Sequence, residues 1–388
     1  MIGTRTLLVA TCLVCAARAG AQPNAYDHLW KAASGDGRFG THGRDLALSV
    51  NRGMLVAPDI VFRDATIEFD VHAGPDAFAG LAFRMQGNAD YDIVYLATDS
   101  TGRWREAQYQ GVYQGETSWQ LYPGAGYRGA IAASATHHGW IHVRLVVNGT
   151  RARLWAGDGA APVLDVPVLQ RDARAGYVGL WSQGGNAGRA TDAEIAALRI
   201  DSTHVPSLDD GARVAAEPGA LVDWQITARL SVADTTAALA ELPTDVLADP
   251  ARWHAVRAEA SGLVNLTREA GNSSGPQAYN VFGGAGWGMA LARTTFTVTN
   301  AETRRLELGY SDRVSVFLDG RLVYHGDNSY GAPGGHLGRV RYDNATLDLS
   351  LAPGAHVLVL AVSDHQFGWG FEARWARPAR ADPGRTRS

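Results

Sequence analysis

The chain has 388 residues, with 35 basic and 39 acidic side chains, a formal charge of −4 and 46% hydrophobic residues. This length suggests about two domains of ordinary size. The basic residues are scattered among the acidic ones, which argues against a nucleic-acid-binding protein. Both cysteines, Cys12 and Cys15, lie near the N-terminus, so the rest of the chain has neither disulfides nor cysteine-ligated metal sites.

Residues 1–21 have the features of a secretory signal peptide. Arg5 supplies the positive charge, Leu7–Ala17 a short apolar core, and Ala19–Ala21 an A-x-A cleavage site. The apolar core is too short to span a membrane, and no second long apolar run follows it. Arginine replaces lysine almost throughout, which is typical of a GC-rich bacterial genome. We therefore expect cleavage after Ala21 and export to the periplasm or the exterior of a bacterial cell.

Short runs of alternating apolar and polar residues, separated by Gly, Asp, Asn and Pro, predict β-strands along most of the chain. They include Thr66–Val71, Ile141–Val147, Gly176–Trp181, Thr294–Thr299, Arg304–Gly309, Val314–Leu318 and His356–Val362. The pattern predicts an all-β fold of two consecutive β-sandwich, jelly-roll domains. A polar stretch with two prolines predicts a linker at 203–218, between domains at 22–202 and 219–377, with a disordered tail at 378–388. Helix formers in Thr235–Trp253 predict one short helix.

The segment Trp104–Tyr122 is the richest in aromatic and amide side chains. Aromatic rings stack on the C–H faces of sugars, while amides and carboxylates pair with hydroxyl groups. Because alternate side chains of a strand are buried, only some of these residues can face a ligand. The cleft-facing candidates are Arg105, Gln108, Gln110 and Trp119, with Asn88 and Asp90 from the preceding turn.

The order of strands in the first domain resembles the concanavalin A-like jelly roll of lectins, laminin-G modules and glucanases. The resemblance lies in FAGLAFR (Phe78–Arg84), the hairpin formed by Gly139–Val147 and Arg151–Ala156, and GYVGLW (Gly176–Trp181). Such glucanases carry Glu-x-Asp-x-x-Glu on one strand. Here Glu68 and Asp70 match, but Ala73 replaces the third acid, so the two carboxylates are interpreted as a solvent-facing strand surface.

The second domain resembles galactose-binding-like domains. SDRVSVFLDG (Ser311–Gly320) predicts a hairpin that turns at Asp319-Gly320. It is followed by LDLSLAPG, HVLVLAV and the closing FGWGF (Phe367–Phe371). The resemblance implies ligand contacts from loops at one end, with candidates Trp287, Asp327, Asn328, Tyr330, Asp364, His365 and Trp369. It also implies a structural calcium ion as the cofactor to consider, with Asp327, Asn328 and Asp364 as oxygen donors. For Trp369, packing beneath a loop is the competing interpretation.

These features predict an exported carbohydrate-binding or accessory protein of glycan processing, with a poly- or oligosaccharide as its partner. One alternative is a glycoside hydrolase or polysaccharide lyase whose site lies on the concave face of the first domain. Its carboxylates would be Glu106 and Glu116, about 5–10 Å apart across one cleft. Another is a cell-envelope adhesion or scaffold module with a protein partner, which a large exposed apolar patch would favour.

Overall fold

The computed structural model describes residues 29–43, 45–184, 192–209, 214–231, 239–271, 288–364 and 367–377. The predicted signal peptide, the predicted tail, Trp287 and His365 lie outside these ranges. The described residues form an all-β protein with two sandwich bodies, which confirms the predicted fold class. No helix among them is both long and apolar enough to cross a membrane.

Fourteen strands form one continuous antiparallel sheet with the order β12-β11-β10-β3-β14-β2-β13-β4-β5-β6-β7, and with β1, β9 and β8 beside β2, β10 and β6. They are β1 (Lys31–His42), β2 (Asp45–Phe62), β3 (Ala65–Ala73), β4 (Ala77–Gly87), β5 (Asp90–Thr98), β6 (Trp104–Tyr113), β7 (Glu116–Thr117), β8 (Arg128–Ala130), β9 (Thr136–His137), β10 (Trp140–Asn148), β11 (Arg151–Ala156), β12 (Leu164–Val166), β13 (Gly176–Gly184) and β14 (Asp192–Asp201). The long strand β2 joins the two halves, because it pairs first with β14 and then with β13.

The alternation of β3 places its apolar side chains in the core and its acids outside. Ile67, Phe69 and Val71 are fully buried. On the other face, Glu68 lies opposite Arg144 of β10, and Asp70 Oδ1 lies 2.8 Å from His142 Nδ1. The two acids therefore occupy the outward strand surface that the sequence predicts for them.

The second body has a seven-stranded sheet, β17-β15-β19-β24-β21-β22 with β16 beside β19, and a four-stranded sheet, β18-β25-β20-β23. Its strands are β15 (Asp223–Thr227), β16 (Leu230–Ser231), β17 (Trp253–Arg257), β18 (Leu263–Asn265), β19 (Gly288–Val298), β20 (Glu302–Ser311), β21 (Arg313–Leu318), β22 (Arg321–Asp327), β23 (Ala345–Leu351), β24 (Gly354–Asp364) and β25 (Gly370–Trp375). Two short helices, α1 (Thr244–Ala248) and α2 (Leu266–Glu269), accompany them, and α1 lies within the predicted helical stretch.

The core of the second body joins its two sheets. Val316 and Leu360 from the larger sheet and Leu308 and Phe371 from the smaller one belong to a single buried cluster. The predicted hairpin is present as β21 and β22, with Leu318 opposite Arg321. Asp319 and Gly320 both have positive φ angles, 50° and 81°, as a tight turn of this kind requires.

The chain divides into two compact units that are not contiguous in sequence. Unit 1 comprises residues before 86 together with 93–109 and 128–210, and unit 2 comprises 86–92, 110–127 and the residues from 211 onward. The change at 210–211 falls inside the predicted linker. The assignment of 86–92 and 110–127 to unit 2 differs from the contiguous domains predicted at 22–202 and 219–377. Within 110–127, Gln120 and Tyr122 make hydrogen bonds with residues far along the chain, Leu337 and Glu259.

Candidate functional site

Gln120 fixes residues 116–122 within unit 2. Its backbone N–H donates to the carbonyl of Phe367 (3.2 Å), and its carbonyl accepts from the N–H of Val340 (2.9 Å). Its side-chain Nε2 donates to the carbonyl of Leu337 (3.2 Å), and its Oε1 accepts from Ser311 Oγ (2.7 Å). Gln120 is fully buried. Because a buried amide without partners is costly, four hydrogen bonds at one residue specify the position of this segment closely.

Two glycines allow other parts of unit 2 to approach residues 117–120 closely. Gly368 has a φ of +88°, and a Cβ on it would lie 2.3 Å from the carbonyl oxygen of Thr117. Gly338 has a φ of +77°, and its Cβ would lie 1.8 Å from Gln120 Nε2. Both positions require glycine for conformation and for space.

Three half-buried rings meet at this junction, and we call Trp119, Tyr330 and Phe367 the aromatic cluster. The ring centroids lie 6.1 Å apart for Trp119 and Tyr330, 5.7 Å for Trp119 and Phe367, and 5.1 Å for Tyr330 and Phe367. The guanidinium carbon of Arg339 lies 3.9 Å from the Trp119 ring centroid. This cation–π contact holds the indole in one orientation while part of each ring stays exposed.

Asn328 organises the loop that carries Tyr330 and Arg339. Its Nδ2 donates to the carbonyls of Tyr310 (2.9 Å) and Arg339 (3.1 Å), and its Oδ1 accepts from the N–H of His336 (2.7 Å). The side chain is buried. Its predicted role as a ligand contact is therefore corrected to a structural one, in which it positions two residues of the site.

The three predicted calcium ligands are engaged in protein contacts. Asp327 accepts hydrogen bonds from Arg313 Nε (2.8 Å) and from the N–H of Ser329 (2.9 Å), and these bonds lower the pKa of its carboxyl group despite partial burial. Asp364 is fully buried, with Oδ2 3.7 Å from Arg229 Nε. Within the described residues, no group of three or more His, Cys, Asp or Glu side chains is arranged to hold a metal ion.

Trp369 lies in the core of unit 2 and not on a ligand-facing loop. It is 0% exposed, and its Nε1 donates to the carbonyl of Gly271 (3.0 Å). Packing beneath a loop, the competing interpretation from sequence, therefore describes this residue. Trp287 lies outside the described residues.

The candidates of β6 that belong to unit 1 form a hydrogen-bonded chain. Gln108 Oε1 accepts from the hydroxyl of Tyr95 (2.7 Å), and Gln108 Nε2 donates to Glu106 Oε1 (2.7 Å). Glu106 also accepts from Arg128 Nη2 (2.6 Å) and from Arg105 Nη2 (3.3 Å). Gln108 is buried and Arg105 is exposed. Glu106 is thus held by donors on both oxygens, which suits a structural or orienting role.

The remaining candidates belong to unit 2. Gln110 is buried, Asn88 is exposed, and half-buried Asp90 accepts a hydrogen bond from the N–H of Gln114 (3.2 Å). Glu116 is fully buried, and its Oε1 accepts from the N–H of Gly368 (3.1 Å). Burial, followed by the nearby charge of Asp364, raises the pKa of Glu116 well above its ordinary value. A carboxyl group so enclosed cannot reach a polysaccharide, and Glu106, its predicted catalytic partner, belongs to the other unit.

The sequence predicts Trp119 and Tyr330 as ligand contacts, and the structure brings these two side chains together. Phe367 and Arg339 are not among the contacts that the sequence predicts. Phe367 was visible as the first residue of the FGWGF motif, where an aromatic residue before glycine can be displayed by a sharp bend. No pattern in the sequence identifies Arg339, which reaches the site through the loop that Asn328 holds.

No protein-family model matches the chain, and no curated protein matches it. Among solved structures, the chain is similar to the carbohydrate-binding module CBM66 from Bacillus subtilis, with 15% identity, 43% of this chain and 91% of that chain covered, and a TM-score of 0.28. It is similar to a protein of unknown function with a galectin-like fold from Bacillus subtilis, with 12% identity, coverages of 45% and 89%, and a TM-score of 0.31. It is also similar to a native glycosidic hydrolase, with 9% identity, coverages of 46% and 93%, and a TM-score of 0.34. At these identities and TM-scores, the likenesses carry no information on what this chain binds or catalyses.

Proposed function

We propose that the protein is a non-catalytic carbohydrate-binding protein that acts as an accessory in glycan processing, and that it binds sugars at the aromatic cluster. The observation that carries this proposal is the meeting of half-exposed Trp119, Tyr330 and Phe367 within 6.1 Å of one another, beside Arg339. Ring surfaces of this kind pack against the C–H faces of a pyranose, while the guanidinium N–H groups and the Tyr330 hydroxyl can pair with sugar hydroxyls.

The supports of the cluster favour binding by a preformed surface. Arg339 stacks on Trp119, Asn328 fixes the loop of Tyr330, and Gln120 holds the backbone next to Trp119. Rings that are already held in place lose less conformational entropy on binding. A site with few charged groups and several rings suits a neutral sugar chain better than a peptide or a nucleic acid.

The test is affinity electrophoresis of the mature protein in gels that contain xylan, mixed-linkage β-glucan, galactomannan, levan or pectin. We expect one or more of these to retard the protein. Trp119→Ala should weaken that binding about tenfold or more, because burying a large apolar side chain contributes about 1.5–3 kcal/mol and about 1.4 kcal/mol corresponds to a tenfold change. Trp155→Ala is the matched control, because Trp155 is a half-buried indole of unit 1 with Arg144 5.0 Å from its ring centroid. No retardation by any polysaccharide, or an equal loss in both variants, would contradict the proposal.

We also propose the finer assignments made from sequence: a concanavalin A-like first sandwich, a galactose-binding-like second one, and export after cleavage at Ala21. The strand order of the first sandwich and the Asp319-Gly320 hairpin of the second support the fold assignments. N-terminal sequencing of the protein recovered from the periplasm or the medium tests export, and a chain that still begins at Met1 would refute it. The enzymatic and adhesion alternatives stay predictions.

A further inference from the structure

Leu337 is an exposed leucine in a tight turn of the loop that also carries Tyr330 and Arg339. Its side chain is 48% exposed. The turn covers residues 336–339 and is closed by a hydrogen bond from the N–H of Arg339 to the carbonyl of His336 (3.1 Å). Its two central residues, Leu337 and Gly338, have φ angles of +59° and +77°, which are the signs of a type I′ turn.

Leucine is unfavourable at this position on two physical grounds. Both central residues of such a turn are usually Gly, Asn or Asp, because a larger side chain in the left-handed conformation collides with the backbone. The turn between β21 and β22 follows this rule, with Asp319 and Gly320 at its centre. An exposed leucine also leaves apolar surface in water. Residues held in such strained conformations cluster at binding and active sites, which makes Leu337 a candidate for function.

Gln120 holds Leu337 beside the aromatic cluster. Its Nε2 donates to the carbonyl of Leu337 (3.2 Å), while its backbone N–H donates to the carbonyl of Phe367 (3.2 Å). Phe367 also has a positive φ angle, 69°, and precedes a glycine. Two residues beyond Leu337, the guanidinium carbon of Arg339 lies 3.9 Å from the ring centroid of Trp119. Two left-handed positions that carry large apolar side chains are therefore bonded to the residue that follows Trp119.

We propose that Leu337 contacts the ligand and makes the site selective for sugars that carry a methyl group, in an acetyl ester, a methyl ether or a 6-deoxy carbon. A leucine side chain has neither donor nor acceptor, so a sugar hydroxyl placed against it loses water without gaining a partner. A methyl group in the same place gains by leaving water. The inference rests on the proposed function and adds to it the class of sugar.

The test is affinity electrophoresis of the mature protein with untreated, lightly O-acetylated and lightly O-methylated samples of each of the five polysaccharides. A methyl group buried against Leu337 should make binding about fourfold tighter than to the untreated sample. Where the methyl group is a 6-deoxy carbon, D-fucose should instead compete about fourfold better than D-galactose, from which it differs only at C6. Leu337→Asn should abolish whichever preference is found, while binding of the untreated sample changes by less than about twofold.

Leu322→Asn is the matched control, because Leu322 is 37% exposed and stands at the opposite end of β22 from the loop that carries Tyr330. This variant should keep the preference. Native-state hydrogen exchange at the β24 amides separates a binding role from a packing role without any ligand. Since asparagine tolerates a left-handed φ better than leucine does, unit 2 should open no more often in Leu337→Asn than in the wild type.

Equal binding of modified and untreated samples, together with equal competition by the two monosaccharides, would overturn the inference. A preference that persists in Leu337→Asn, a preference that is lost in Leu322→Asn, or more frequent opening of unit 2 in Leu337→Asn would overturn it as well. In each of these cases, binding that is lost in Trp119→Ala would still support the proposed function. If no sample retards the protein, the proposed function fails and this inference fails with it.

Discussion

The close approach of Gly368 to the backbone of Thr117 gives a sharp prediction for Gly368→Ala. The added methyl group would meet the Thr117 carbonyl oxygen at 2.3 Å and the Ser118 Cα at 2.9 Å. Ordinary contacts begin near 3.4 Å, so the backbones must separate by about 1 Å, and neither obstacle can rotate away. The left-handed φ of +88° at this position is also unfavourable for alanine.

Placing alanine in the left-handed conformation costs about 1–2 kcal/mol, and crowding of a well-packed region costs about 1–3 kcal/mol more. We therefore expect Gly368→Ala to destabilise unit 2 by about 2–5 kcal/mol. Gly331→Ala isolates the first part, because Gly331 has a similar φ of +84° but nothing lies within 4 Å of its added Cβ. That control should lose about 1–2 kcal/mol.

The measurement is native-state hydrogen exchange at the β24 amides, which report the opening of unit 2 rather than of the whole chain. The difference between the two variants should exceed about 1 kcal/mol, close to a fivefold change in the opening equilibrium. Gly368→Ala should also lower the protection of Gln120, whose N–H bonds to Phe367. Equal losses in the two variants would show that residues 117 and 368 are not in contact, which would also refute the packing proposed for the candidate site.

Two further predictions concern buried charged groups. His356 Nδ1 lies 2.7 Å from Asp319 Oδ2, and His356 Nε2 lies 2.7 Å from the Ala352 carbonyl oxygen. Because both partners are acceptors, both ring nitrogens of His356 must donate. The bonds to Ala352 and Asp319 raise the pKa of His356. The stabilising effect of charged His356 is complete below its unfolded-state pKa and is lost as pH rises through its folded-state pKa. His356→Gln should therefore lower the urea midpoint more at about pH 5.5 than at about pH 8.5, whereas exposed His254→Gln should not. An equal loss at both pH values for His356→Gln would refute this prediction. Arg84, which is 1% exposed, donates hydrogen bonds to Asp64 Oδ1 (2.9 Å), to the Arg63 carbonyl (2.6 Å) and to the Gly149 carbonyl (2.7 Å). Arg84→Met should therefore cost about 3–5 kcal/mol in urea unfolding of unit 1, whereas the same replacement of Arg103, whose side chain is 67% exposed, should cost about 0–1 kcal/mol. Comparable losses in the two variants would contradict the assigned network.

The parts of the fold that sequence predicts well are those that local rules determine. The alternation of β3 separates its buried apolar side chains from Glu68 and Asp70, and the Asp319-Gly320 pair sets the turn between β21 and β22. Both follow from strand periodicity and turn conformation, which act over a few residues. The all-β class follows from the repetition of such signals along the chain.

The candidate site was predictable only in part, because its position depends on contacts between distant parts of the chain. Trp119 and Trp369 each stand in a segment rich in rings and small polar residues, yet one is half-buried and the other lies in the core. Nothing near either tryptophan in the sequence separates them. The difference arises because residues 110–127 belong to unit 2, where Gln120 bonds to residues more than two hundred positions away.

The same long-range contacts explain why polar side chains, and not only apolar ones, specify the site. Apolar packing tolerates small displacements, whereas a buried amide or carboxyl group loses its partners when it shifts by about 1 Å. Gln120 and Asn328 both bond to the backbone of the loop that carries Arg339, and Glu116 bonds to the backbone of Gly368, next to Phe367. The rings themselves can therefore remain half-exposed and available to a ligand, since their positions are set by the buried polar groups behind them.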